Sequence, residues 1–255
     1  MSEDLQLTVL GKSPAWQDAD GACSGYLLRA GENALLDCGN GVISKLQKQL
    51  LPAQLDNVII SHLHADHFFD LVPLAYLFQF LPQPYGHPDR PPRLYLPDGG
   101  SEALTNISKI WNAPTMFTDN FEIIEYQPGD SWQLGDTVVE TVEVPHYVTT
   151  SAFAFTSASG ARLVYGADCG PNPQLIELAN DADLLIAEAT MPVGEEIEGH
   201  LTAVQAGEHA AAASAKRLML THFSELFQSG QLCEQVKSSY SGELLLAAEG
   251  LKISL

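Results

Sequence analysis

The sequence predicts a layered α/β fold with substantial sheet, and three observations predict it. Short apolar runs recur along the chain and are broken by Gly and Asp, helical candidates are interspersed among them, and 45% of the 255 residues are hydrophobic, enough for a sizeable core. No internal repeat, low-complexity tract or long charge run divides the chain, so residues 1–255 are expected to form one domain.

The elements follow in order. Strands are expected at Leu5–Leu10, Tyr26–Arg29 and Ala34–Asp37, then a helix over Val42–Leu51 and a strand at Val58–Ile60, each strand closed by a polar turn. Helices are expected at Leu71–Phe80, Glu102–Trp111, Pro173–Asn180, Ala203–Ala215 and Gln231–Ser238. They alternate with strands at Leu94–Leu96, Thr137–Val144, Ala152–Thr156, Leu163–Tyr165, Leu184–Ile186, Leu218–Leu220 and Leu244–Leu246. Pro82, Pro84, Pro88, Pro91, Pro92 and Pro97, with Pro73 upstream, make segment 81–97 a rigid loop. Its His87, Arg90 and Arg93 are locally basic; a solvated connector is the simpler reading, and a contact to an anionic substrate is the functional one.

Twelve Lys and Arg against 32 Asp and Glu give a net charge of −20, which repels the phosphate backbone of nucleic acid and anionic lipid alike. Extended, charge-driven nucleic-acid binding is thereby excluded. No apolar run reaches the roughly 18 residues of a spanning helix. The acidic start Met1–Asp4 is unlike the basic start of a secretory signal, so a cytoplasmic chain is expected. Cys23, Cys38, Cys169 and Cys233 are scattered singly without a C-x-x-C pair and read as reduced, mostly buried thiols.

Chemistry concentrates in Ser61-His62-Leu63-His64-Ala65-Asp66-His67, directly after the apolar run Val58-Ile59-Ile60. Four metal-competent side chains in so short a segment have no packing logic in a core or on a surface. In an extended segment H-x-H sends two imidazoles the same way, while Asp66 and His67 on the next turn can face a second position, so two metals are implied. Imidazole and carboxylate without thiolate suit Zn²⁺, with Mn²⁺ or Fe²⁺ as alternatives, and about three protein ligands per ion leave room for a reactive water. His146, Asp168 and His222 each stand at the end of an apolar strand further on, as if gathered on one sheet edge.

These motifs resemble the metallo-β-lactamase-fold hydrolases, with His62-Leu63-His64-Ala65-Asp66-His67 in place of their H-x-H-x-D-H motif and His146, Asp168 and His222 in place of their later ligands. The resemblance spans nearly the whole chain and implies a four-layer αββα sandwich with the metals at one edge. It implies His62, His64 and His146 on one ion, Asp66, His67 and His222 on the other, and Asp168 bridging. Glu188 in Ala187-Glu188-Ala189-Thr190 and His200 in Gly199-His200-Leu201-Thr202 resemble the extra pair of the ribonuclease Z-like phosphodiesterases, including a bacterial class of cyclic nucleotide phosphodiesterases. Thr202 and Gln205 also form a capping box, which places His200 just before a helix N-terminus, where a phosphate oxygen is favoured.

The expected reaction is hydrolysis of a small phosphodiester by a hydroxide held between the metals, with Asp66, His200 and Glu188 as the groups nearest the chemistry. Ribonuclease Z enzymes usually carry an RNA-gripping arm, in many members between the positions matched here by His146 and Asp168, and only two short strands and a turn fit there. A cyclic nucleotide is therefore preferred to transfer RNA. A lactonase or aryl-ester hydrolase on the same site, and an arm-less ribonuclease Z-like transfer RNA 3′ endonuclease, are the alternatives; a redox di-iron protein is disfavoured by His64 where such proteins tend to place a carboxylate. Homodimers are common among such relatives and the aromatic-rich Phe68–Phe80 segment offers an apolar face for one, although a buried helix accounts for it more simply.

Some patterns carry less. Gly11-Lys12-Ser13 resembles the end of a P-loop, but Gln6 stands where that motif requires Gly. Gly39-Asn40-Gly41 reads as a turn for which loop closure suffices. His209, in an alanine-rich helix, is expected to face solvent or to stand behind the ligands.

Overall fold

Apolar runs without polar alternation need cover on both faces, and the pairing of the strands supplies it. The computed structural model describes residues 5–86, 88–225 and 231–255. The first sheet holds β1 (Gln6–Gly11), β2 (Gly25–Arg29), β3 (Asn33–Leu36), β4 (Asn57–Ile59), β5 (Arg93–Pro97) and β6 (Glu122–Tyr126), with β14 (Lys252–Ser254) added beside β1. The second holds β7 (Ser131–Leu134), β8 (Thr137–Val144), β9 (Thr150–Thr156), β10 (Arg162–Tyr165), β11 (Leu184–Glu188), β12 (Arg217–Thr221) and β13 (Glu243–Leu246) in spatial order 13-12-11-10-9-8-7. Each sheet is antiparallel over one part and parallel over the other: β3 to β6 run parallel in the first, β10 to β13 in the second.

Alternation along the strands sorts side chains into three apolar layers. Leu7, Val9, Tyr26 and Leu28 meet Phe153, Phe155, Tyr165, Ile186 and Met219 between the sheets. On the outer face of the first sheet, Leu27, Leu35 and Val58 pack with residues of α1 (Val42–Leu46), α3 (Leu71–Phe80), α4 (Gly100–Ser108) and α5 (Met116–Asn120). On the outer face of the second, Leu185, Leu218 and Leu220 pack with α6 (Pro173–Leu178), α7 (Ala203–Ala212) and α8 (Leu232–Val236). The result is the expected αββα sandwich.

The ends of the helices follow from their caps. Asn172 Oδ1 accepts from Leu175 N at 2.7 Å with Pro173 in the first turn of α6, and the Thr202/Gln205 capping box opens α7. Some elements depart from expectation. The strands β6, β7 and β14 were not anticipated: β6 and β7 are only partly buried and β14 buries Ile253 alone, so their apolar pattern is diluted by exposed polar residues. The helix expected to run to Leu51 is regular only to Leu46, and the one expected at Glu102–Trp111 begins at Gly100 and ends in a 3₁₀ turn, Lys109–Trp111. Arg93 to Pro97 are strand rather than loop, with Pro97 at the strand's end. Met1–Asp4 and His87 lie outside the described residues. All four cysteines are free thiols, with Cys233 partly exposed, and no helix among the described residues is long and apolar enough to cross a membrane.

Candidate metal centre

The end of β4 carries the donor-rich segment. Ile60 N still bonds to Tyr95 O at 3.0 Å; the chain then leaves the sheet and turns into the single helical turn α2 (Ala65–Phe68). Its frame is Asp37, at the end of the neighbouring β3 and fully buried. Asp37 Oδ1 accepts from Ser61 N at 2.7 Å, and Oδ2 accepts from Ser61 Oγ at 2.8 Å, from His67 Nδ1 at 2.7 Å and from Tyr165 OH at 2.6 Å. Ser61 Oγ lies 3.0 Å from His62 Nδ1. With its hydroxyl hydrogen donated to Asp37, that oxygen accepts from the ring of His62, so both imidazoles are held with Nε2 turned inward, that of His62 as an acceptor. His62 Nε2 and His67 Nε2 are buried and without a hydrogen-bond partner among the described residues. The turn after Asp37 does more than close a loop: Cys38 N donates to His67 O at 2.7 Å, and a Cβ on Gly39 would come within 1.8 Å of Asp66 O, so only glycine lets the turn brace α2.

The second sheet presents its donors one strand at a time. His146 follows β8; its Nδ1 donates to Gly199 O at 2.8 Å and its Nε2 lies 3.0 Å from His64 Nδ1. Asp168 follows β10. His222 follows β12, with Nδ1 2.7 Å from Thr190 Oγ1 and Nε2 3.2 Å from Asp66 Oδ2 and 3.4 Å from Asp168 Oδ2. His67 Nε2 is 3.5 Å from both Asp66 Oδ2 and Asp168 Oδ1. The structure thus brings together His62, His64 and His146 in one group and Asp66, His67, Asp168 and His222 in another, the donor atoms of each within 4.8 Å of one another. Asp37, Ala167 and His222 are three of the seven described non-glycine residues with positive φ, a backbone cost of about 1 kcal/mol or more each, and it is concentrated where the donors are aimed.

The electrostatics are those of a cation site. Burial drives His62, His64 and His146 below their ordinary range, so they stand neutral with lone pairs available. Burial also opposes charge on His67, but Asp168 and Asp37 outweigh it and push that imidazole well above its usual range. Asp66 and Asp168 are held ionised, well below the usual carboxylate range: burial opposes this, and the histidines facing them prevail. Among the described residues no Lys or Arg pairs with either carboxylate. Orphaned inward nitrogens beside buried anions are the arrangement two divalent ions would complete, so the residues present fit such ions.

Glu188 ends β11, 1% exposed, and accepts from Cys169 N at 2.9 Å. It holds His200 Nδ1 at 2.9 Å, and Thr190 Oγ1 donates to its other oxygen. His200 is set against the donor cluster, its ring centroid 4.9 Å from that of His146 and stacked over His222 at 6.1 Å. Burial would lower His200, but Glu188 outweighs it and keeps the imidazole above its ordinary range. A cavity of about 290 Å³ opens here, with His64, Asp66, Asp168, His200 and His222 on its floor and Trp16, Met191 and Ile197 on its walls.

Other expectations resolve differently. Arg93 pairs with Asn57 at the start of β4, the end of the sheet opposite the donors, and forms an ion pair with Glu32; with Arg90 it lines a separate groove, so neither reaches the site. His209 does not face solvent. It is buried, Nδ1 donating to Gln205 O at 2.7 Å and Nε2 accepting from Asn172 N at 3.0 Å. The helix α3 buries Leu71, Leu74, Ala75 and Phe78 while leaving Tyr76 and Phe80 exposed. Asp37, Ser61, Tyr165 and Thr190, which brace the candidate donors, carry little signal in the sequence; the one available is Asp37, an acidic residue at a strand end like Asp168.

A two-sheet sandwich with histidines and aspartates gathered at one edge defines a metal-dependent hydrolase of the metallo-β-lactamase fold. The chain belongs to the β-lactamase superfamily: residues 32–223 match the family described as the beta-lactamase superfamily domain. It is 31% identical to the probable metallo-hydrolase YhfI of Bacillus subtilis over 96% of this chain and 98% of that protein. It is 33% identical to the uncharacterized protein ML1173 of Mycobacterium leprae over 96% of this chain and 87% of that protein. The crystal structure of YhfI superposes with a TM-score of 0.87 at 28% identity, covering 98% of this chain and 99% of that one. Human tRNase Z, short form, superposes with a TM-score of 0.75 at 25% identity, covering 98% of each.

Proposed function

We propose that this hydrolase cleaves small phosphodiesters, a cyclic nucleotide first among them, at two divalent ions held by His62, His64 and His146 on one side and Asp66, His67 and His222 on the other, with Asp168 between. Zn²⁺ suits the donor set best, with Mn²⁺ and Fe²⁺ as alternatives. The observation that carries the reading is the Glu188–His200 pair, which sets an imidazole held at Nδ1 by a buried carboxylate against the donor cluster in a small cavity. Bound ions would supply an acidified water and positive charge against the phosphoryl oxygens. Asp66, an acceptor at the cavity floor, would orient that water through one of its protons. His200, its Nδ1 committed to Glu188, would give its Nε2 proton to the leaving ester oxygen as the P–O bond breaks, a contribution of about 10²–10⁴ in rate.

Size and charge support a small substrate. Only β9, β10 and their turns separate His146 from Asp168, and a protein of net charge −20 offers no electrostatic substitute for an RNA-gripping arm. The test is turnover of 3′,5′-cyclic AMP by protein loaded with Zn²⁺ or Mn²⁺. Metal-dependent release of AMP is expected. No turnover from fully metallated protein, with lactone opening or cleavage of a transfer RNA 3′ end in its place, would overturn the proposal.

A further inference from the structure

The loop between β1 and β2 reaches the cavity. Pro14, Ala15 and Trp16 line the cavity together with Met191 and Ile197. Polar donors thus lie on the floor and apolar groups on the walls. A phosphate gains nothing from such walls, whereas a planar ring does.

The same loop is fixed by a device that is expensive to keep. Lys12 is only 4% exposed, and a buried ammonium persists where it is fully partnered. Its Nζ lies 2.7 Å from Asp18 Oδ2, 3.5 Å from Phe223 O and 4.6 Å from the centre of the Phe223 ring. Asp18 Oδ1 accepts from Ser224 Oγ at 2.8 Å, Asp18 N donates to Ser13 Oγ at 3.2 Å, and the Gln17 amide donates to Asn40 O. Both ends of the Pro14–Trp16 wall are therefore tied down to the segment directly after His222, Lys12 through Phe223 and Asp18 through Ser224. Between these ties Trp16 is held 47% exposed at the cavity. A large aromatic ring kept rigid yet half in solvent at the mouth of a site has its remaining apolar area to offer a ligand.

We infer that Trp16 is the specificity-determining residue that receives the nucleobase of the substrate, and that Lys12 and Asp18 are positioning residues that hold it there. This rests on the phosphodiester reading of the same site, but its test does not need turnover. Equilibrium binding of AMP and of ribose 5-phosphate to the Zn²⁺-loaded protein is measured by calorimetry; the two share sugar and phosphate and differ in the base. AMP is expected to bind about tenfold or more tightly than ribose 5-phosphate. Trp16→Ala should bring the two affinities together by weakening AMP alone, Trp16→Phe should keep most of the difference, and Lys12→Met should weaken AMP partially with ribose 5-phosphate and zinc content unchanged. Equal binding of the two by the wild type, an undiminished AMP preference in Trp16→Ala, or no binding of either compound would overturn the inference. Absence of cyclic AMP turnover with the AMP preference intact would instead remove the reaction and leave the wall.

Discussion

The two sheets mirror each other in strand order, yet they furnish the site in opposite ways. The first places His62, His64, Asp66 and His67 on one continuous segment after β4, aimed by an extended stretch and one helical turn. The second contributes His146, Asp168, Glu188 and His222 singly, from the ends of β8, β10, β11 and β12. Local chain geometry is enough to aim the first set. Aiming the second depends on the parallel register of β10, β11 and β12, since a one-residue slip would move a donor by about 3.3 Å, the difference between a contact and none. One half of the site is written in sequence and the other in topology.

Breaking either half should be equally damaging if the proposed centre is shared. Asp168→Ala in the second sheet and His62→Ala in the first are each expected to lower turnover by about 10³-fold or more, several kcal/mol of transition-state stabilisation, with bound metal falling in both when measured by elemental analysis. Full metal and full turnover in one of them would divide the site along the boundary between the halves. Next in size is His200→Ala, with a loss of about 10²–10⁴ in kcat at unchanged metal content. Because Glu188 raises the His200 imidazole, its proton-donating form persists to higher pH than an ordinary histidine's. Glu188→Gln should therefore move the alkaline limb of the rate profile to lower pH, and an unmoved limb would take the proton from His200.

The supports give a finer comparison. Asp37→Asn is expected to weaken metal binding by about 10- to 100-fold, because the Nδ1 contact that turns His67 inward is lost together with the Ser61 relay to His62. Thr190→Val, the counterpart behind His222, should cost about tenfold, one ring instead of two; competition with a fluorescent chelator measures both. The smallest effect is on stability. Burial opposes ionisation of Asp18, but hydrogen bonds from Lys12 and Ser224 prevail and depress its carboxyl. Its contribution is present above the unfolded carboxylate range and lost as pH falls through the folded value, so the metal-free protein should lose up to about 2–4 °C in Tm on acidification that Lys12→Met does not.

Legibility followed the same division. The fold was readable because both sheets are covered on both faces and write continuous apolar runs; the edges β6, β7 and β14 were not, because partial exposure mixes polar residues into them. The segment from His62 to His67 announces itself by density alone. His146, Asp168 and His222 were readable only as polar residues ending apolar strands, a pattern that Asp37 also fits and where it was passed over, its chemistry being to hold donors rather than to be one. Arg93 misled for a related reason: composition places a cation near the site in sequence, and only the direction of β5 shows that it sits at the far end. Lys12, set aside with a failed phosphate motif, is the buried cation of the Trp16 loop.

The pairing of β14 with β1 sets Ser254 beside Gln6, so the last strand described is neighbour to the first. Such a contact closes almost the longest loop the chain allows, and its entropic cost must be met before the pairing rewards it. Folding should accordingly be slow for the size of the protein, with the second sheet, whose strands follow one another in near-sequential order, able to assemble ahead of the first. Until β14 arrives, β1 stands as an unguarded edge carrying Leu7, Val9 and Leu10, a template for joining another unfinished copy. Removal of the residues after Gly250 would make that transient hazard permanent.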